Sequence, residues 1–207
     1  MNTFEIQLAQ CRFTFPQNQS IIVLANYRTG STALCNILHR ITGYPNLDEA
    51  FHFRRRGREY DRYRANAQPC IVKLMCDQIP PDSYFDSLFS NSYIIGIYRK
   101  DRVAQLASFA TAYGSEVWHN PKDCPAQQDK TAPHIGYLPN QAKRLARLHE
   151  EYTQCRTFMK MELCYETVAS DLVQSSYNAM HKSADYENFL AECGRVLEQN
   201  NLELTNE

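Results

Sequence analysis

The segment Ile21-Ile-Val-Leu-Ala-Asn-Tyr-Arg-Thr-Gly-Ser-Thr-Ala-Leu constrains this chain more than any other. Five consecutive apolar residues, Ile21 to Ala25, read as a strand covered on both faces. They run through Arg28-Thr-Gly-Ser-Thr into a helix with Leu34, Ile37, Leu38 and Ile41 on one face. The chain has only seven glycines in 207 residues, about half the usual share, so Gly30 at the strand-to-helix turn is not background. Glycine permits a tight turn and a close backbone approach. The amides of Ser31 and Thr32 then point out of a helix N-terminus, whose partial positive charge suits an anion. Arg28 and the hydroxyls of Thr29, Ser31 and Thr32 add donors. Taken alone, the segment fits an anion site and a plain N-capped helix alike. It is not a Walker loop, since there is no G-x4-G-K-[ST] and no lysine after the glycine.

Two more apolar runs, Cys70–Met75 and Tyr93–Tyr98, read as buried strands, with Lys160–Tyr165 a weaker fourth. Helical spacing lies between them. Val103, Leu106 and Ala110 share a face, as do Leu138, Ala142, Leu145, Leu148, Tyr152, Cys155 and Met159. The alternation predicts an α/β fold with a central parallel β-sheet flanked by helices. The length predicts one domain over 1–207, with the motifs in about 21–171 and a C-terminal helical segment at about 172–203. In an open parallel sheet, ligands bind beyond the carboxyl ends of the strands. Arg28 and Arg99 each follow such an end. If Asp101 caps the next helix, Ser108, nine residues after Arg99, sits about two turns inside it. A basic residue and a hydroxyl there point to a second phosphate site; a surface charge paired with Asp101 is the alternative.

Composition narrows the classes. The 22 basic and 23 acidic residues nearly cancel, so no global field argues for a nucleic-acid partner. Apolar runs of about five residues fall far short of the roughly 20 that span a bilayer. Met1 to Gln10 has no apolar signal core, and a cytoplasmic location is the expectation. Eight cysteines without a C-x2-C pair read as reduced thiols. Scattered histidines without H-E-x-x-H leave no metal site expected. Arginines 54, 55, 56, 58, 62 and 64 form either a solvated helical face or a lid for an anionic or polyhydroxyl substrate. The proline-rich stretch 119–139 reads as a long loop.

Together these segments resemble the 3′-phosphoadenosine 5′-phosphosulfate (PAPS) dependent sulfotransferases, most closely the bacterial trehalose 2-sulfotransferase type. Arg28-Thr29-Gly30-Ser31-Thr32 looks like the family's R-[ST]-G-S-T, which holds the 5′-phosphosulfate. Arg99-Lys-Asp-Arg-Val-Ala-Gln-Leu-Ala-Ser is similar to its R-x-D-K-V-A-Q-A-V-S, whose Arg and Ser hold the 3′-phosphate. Val72-Lys73-Leu74-Met75 with Asp77-Gln78, and Val117-Trp118-His119, resemble two further blocks. Tyr165-Glu166 resembles the late Y-E-D-L, with Thr167 in place of the aspartate. The R-K-G loop of the cytosolic eukaryotic enzymes has no counterpart, so the 3′-phosphate falls more heavily on Arg99 and Ser108.

The resemblance implies a P-loop-NTPase-like sulfotransferase architecture. It also implies transfer of the sulfuryl group of PAPS to a hydroxyl of a carbohydrate or glycolipid acceptor, with PAP as product, and a possible homodimer. It points to a base about twenty residues after the loop arginine, where Glu49 lies 21 residues after Arg28. Asp48 and His52 are the local competitors. Lys73 and Asp77 lie near the end of the second strand, where Lys73 assists the sulfuryl oxygens or the acceptor or, equally, forms a salt bridge across the sheet end. Asp77, Trp118 and His119 are acceptor-side candidates, the Trp otherwise simply buried. Tyr165 contacts the adenosine side or packs. Two other readings stay open, a P-loop-like small-molecule kinase and a non-catalytic PAP- or PAPS-binding module.

Overall fold

The computed structural model describes residues 3–8, 11–52, 58–79, 88–115, 137–173 and 184–200. The chain opens with a hairpin, β1 (Thr3–Leu8) and β2 (Cys11–Pro16), paired antiparallel. This hairpin is not among the strands expected from apolar runs. Its apolar residues alternate (Ile6 and Leu8, Phe13 and Phe15 buried) instead of running consecutively.

Next come β3 (Ser20–Ala25), α1 (Ser31–Thr42), α2 (Arg58–Ala65), β4 (Ile71–Met75), β5 (Ser92–Tyr98) and α3 (Arg102–Ser115). Then follow α4 (Leu138–Gln154), β6 (Met161–Cys164), α5 (Tyr165–Val173) and α6 (Ala184–Gln199). The expected strands are thus present, and the fold is mixed α/β. β4, β3, β5 and β6 form a parallel sheet in that order, flanked by helices. Chain order reverses direction between β3 and β5, which makes a crevice beyond their carboxyl ends.

Alternate residues of β3 serve two cores. Ile21, Val23 and Ala25 pack with the hairpin, α1 and α5; Ile22 and Leu24 face the opposite side with Leu148 and Tyr152 of α4. All five are fully buried, which is why the run shows no polar alternation. A third cluster joins α3, α4 and α6 through Leu106, Ala142, Phe189 and Cys193.

Two helical expectations need correction. Ile41 does not join the buried face of Leu34, Ile37 and Leu38; it lies in the last turn of α1 and is exposed. The helix through Met159 ends at Gln154, and a tighter 3-10 turn, Cys155–Phe158, brings the chain to β6. In the arginine-rich segment, α2 exposes Arg58, Arg62 and Arg64 and buries Tyr60 against Phe51. Arg54, Arg55 and Arg56 lie outside the described residues. The seven described cysteines are free, and among the described residues no helix is long and apolar enough to cross a membrane.

Gly96 marks the tightest packing of the sheet. A Cβ there would overlap Met159 and stand 2.6 Å from Oη of the fully buried Tyr152. Gly96→Ala is therefore expected to cost about 1–3 kcal/mol, read as a lower urea midpoint at unchanged slope. An unchanged midpoint would mean that the two side chains give way freely.

Candidate functional site

The turn after β3 is built by backbone geometry that few residues accept. Arg28 has φ 62° and Gly30 φ 82°, both left-handed. Holding a non-glycine residue there costs about 1–3 kcal/mol and persists only where the surroundings enforce it. The buried Thr29 hydroxyl donates to Asn26 O at 2.9 Å. From α3, Gln105 Nε2 donates to Tyr27 O at 2.8 Å. The Arg28 side chain crosses to α3 and donates from Nε to Ser108 Oγ at 2.8 Å. A Cβ on Gly30 would stand 2.8 Å from the Tyr165 ring and 2.9 Å from Leu172, so glycine is required for the packing of α5 as well as for φ. Gly30, the N-cap of α1, has no side chain to cap the first amides of the helix at this turn.

The end of β5 joins the same group. Arg99 sits with its guanidinium 4.8 Å over the Tyr165 ring, and its buried Nε makes no hydrogen bond among the described residues. Its ion pair is with Glu166, at 3.8 Å, not with Asp101. Asp101 instead caps α3, accepting from Ala104 N at 2.8 Å, as expected. Glu166 accepts from the amides of Lys100 (3.1 Å) and Asp101 (3.0 Å). Burial alone would raise its pKa; these amide bonds outweigh it and hold the carboxyl below the usual range. The amides after β5 are therefore occupied by a carboxylate, whereas the N-cap residue after β3, Gly30, supplies no capping side chain. Burial, and then the neighbouring Arg99, push the Arg28 pKa down. Two cations brought together out of water are relieved by an anion.

The acid cluster reaches this group along the sheet edge. Residues 45–48 run beside β4: Ile71 N donates to Pro45 O (2.9 Å), Leu47 N to Ile71 O (2.8 Å) and Lys73 N to Asp48 O (2.8 Å). That pairing sets Asp48, itself at φ 51°, and Glu49 beside Lys73. Lys73 shares the α1 side of β4 with Ile71 and Met75. Its almost fully buried Nζ meets Asp48 Oδ1 at 2.8 Å, Glu49 Oε1 at 3.0 Å and Thr32 Oγ1 at 2.9 Å. One cation thus ties the acid cluster to the start of α1. The salt bridge weighed for Lys73 at the sheet end is present, with Asp48 and Glu49 as its partners.

Gln78 Nε2 holds the other Glu49 oxygen at 2.8 Å. Burial would raise the Glu49 pKa, but Lys73 and Gln78 outweigh it and keep the carboxyl ionised below the ordinary range. Burial would lower the Lys73 pKa; Asp48 and Glu49 reverse that. His52 lies three residues on, its amide bonded to Glu49 O at 3.1 Å.

Asp77 stands in a different group. It accepts from Tyr27 Oη (2.9 Å) and Arg144 Nη2 (2.8 Å), and Arg144 lies 5.3 Å over the Tyr27 ring. Tyr27, Arg144 and Gln105 were not among the candidates. Arg144 lies off the apolar face of α4, and its partner is 67 residues away, so no spacing marks it. Gln105 is hidden within an amphipathic pattern. Trp118 and His119 lie outside the described residues.

Among the described residues, no group of three or more His, Cys, Asp or Glu is arranged to hold a metal ion. No protein-family model matches the chain, and no curated protein matches it.

Proposed function

We propose that this chain is a PAPS-dependent sulfotransferase of P-loop-NTPase-like architecture, acting on a hydroxyl of a carbohydrate or glycolipid. One observation carries the reading. Arg28, Arg99 and Ser108 come from three separate elements and converge beyond β3 and β5, and Lys73 links the same helix start to Glu49. The motifs that carry Arg28, Arg99, Ser108 and Tyr165 lie apart in the chain, and these four side chains adjoin one another.

The residues fit a nucleotide carrying two anionic groups. Arg99 has a buried Nε without a hydrogen bond among the described residues, and the Arg28 and Arg99 charges adjoin. Arg28, Thr29, Gly30, Ser31 and Thr32 would hold the 5′ end, Arg99 and Ser108 the 3′-phosphate, with Tyr165 beside them. When bound, PAPS supplies an activated sulfuryl group whose S–O bond to phosphate breaks as the S–O bond to the acceptor forms. The protein's own part is to orient, to hold positive charge where negative charge develops, and to take a proton. Glu49, ionised, takes the acceptor's hydroxyl proton. Asp77, Trp118 and His119 are assigned to the acceptor side. A cytoplasmic place, where PAPS is made, belongs to the same reading.

The test is a thermal-shift comparison of PAP, ADP and ATP at equal concentration, followed by sulfate transfer from PAPS to a panel of sugars and glycolipids. At about 100 times its dissociation constant, PAP should add about 2.7 kcal/mol to stability. A preference for ATP would favour a kinase. A PAP shift with no acceptor giving transfer would favour a binding module.

A further inference from the structure

We propose that Gln105 is the positioning residue of the Arg28 turn: its amide clamps the peptide before Arg28 and so aims the guanidinium at the anion site. The inference rests on the nucleotide-binding reading above. Gln105 is almost completely buried in α3, yet both ends of its amide are used. Nε2 donates to Tyr27 O at 2.8 Å, and Oε1 accepts from Arg102 Nη1 at 3.0 Å. The amide has one permitted orientation, because a guanidinium only donates and a carbonyl only accepts. Arg102 is itself anchored on α4, donating from Nη2 to His149 Nδ1 at 2.7 Å. The clamp therefore reaches from α4 through α3 to the turn.

The bonded carbonyl belongs to the residue immediately before Arg28, whose φ of 62° most needs enforcing. Ser108, three residues further along α3, lies on the same helix face and takes Arg28 Nε at 2.8 Å. One face of α3 thus fixes both the backbone and the head group of Arg28. Without the Gln105 bond, the 27–28 peptide loses the restraint on its carbonyl, Arg28 relaxes toward negative φ, and its guanidinium shifts from Ser108 and Arg99.

A double-mutant cycle on PAP affinity, read by titration calorimetry, tests this. Gln105→Met keeps the volume and removes both bonds. It should weaken PAP about tenfold in the Arg28 protein and less than twofold in an Arg28→Ala background, because its effect passes through Arg28. Gln105→Glu keeps the acceptor for Arg102 but loses the donor to Tyr27 O, and serves if Gln105→Met does not fold; the same non-additivity is expected. Equal losses in both backgrounds would reduce Gln105 to a general structural role, and no loss in the Arg28 protein would remove the clamp; either overturns the inference alone. Wild-type protein that fails to bind PAP overturns the nucleotide reading and this inference together.

Discussion

Glu49→Gln is expected to lower the turnover of PAPS-dependent transfer by about 100-fold or more and to leave the PAP dissociation constant within about twofold. The asymmetry follows from position. Glu49 comes in on the edge segment 45–48 and touches the α1 start only through Lys73. Glutamine keeps the shape and an oxygen for Lys73, but it cannot take a proton. The electrostatics also set the pH response. Glu49 is held below the ordinary range chiefly because Lys73 and Gln78 outweigh burial. Its charged form is thus the one that folding favours. The stability it contributes is present above the ordinary carboxylate range and is lost as pH falls through its lowered folded-state pKa. The acidic limb of kcat/KM should accordingly fall below the usual glutamate value of about 4.3. Asp48 is the control, since it shares Lys73. If Asp48→Asn loses turnover and Glu49→Gln does not, the base has been misassigned.

How much of this was legible in the sequence depends on how each feature is encoded. Three of the four sheet strands announced themselves because both faces of β3, β4 and β5 are covered, leaving mainly apolar runs, whereas the half-covered β6 gave a weaker signal. The β1–β2 hairpin buries one face, and alternate residues carried its signal. Arg28, Gly30, Arg99 and Ser108 were readable because strand ends and helix starts fix where they can go. Asp101 was likewise readable as a cap, since capping is a local event three residues long. The clamp and the Arg144–Asp77–Tyr27 group were not, because each depends on α3 or α4 lying against the β3 turn. Such contacts span 50 to 117 residues and have no period. The choice among Asp48, Glu49 and His52 was also beyond composition. It turns on which residue the edge pairing sets beside Lys73, and that edge is visible only once the backbones of Ile71 and Lys73 pair with it.

Arg28→Ala should separate the binding role of the site from its contribution to stability. In the free protein the substitution removes the hydrogen bond to Ser108, worth about 1 kcal/mol. It also removes one of two adjoining half-buried cations, whose repulsion depresses the Arg28 pKa after burial itself. The two effects oppose each other, so unfolding in denaturant should change by no more than about 1 kcal/mol. Alanine inherits the left-handed backbone, which is held by Gln105 and not by the missing side chain. With nucleotide the outcome differs. A charge-assisted hydrogen bond is worth roughly 1.5–3 kcal/mol, and loss of a guanidinium that makes more than one corresponds to about 100-fold weaker binding. At a PAP concentration that gives the wild type about 2.7 kcal/mol, the variant should then gain only about 0.4 kcal/mol. Arg99→Ala should lose a similar share of the nucleotide shift, but with a larger cost in the free protein, because Arg99 also stacks on Tyr165 and pairs with Glu166. A PAP shift that survives both substitutions would mean that the two arginines serve the fold and that the anion site lies elsewhere.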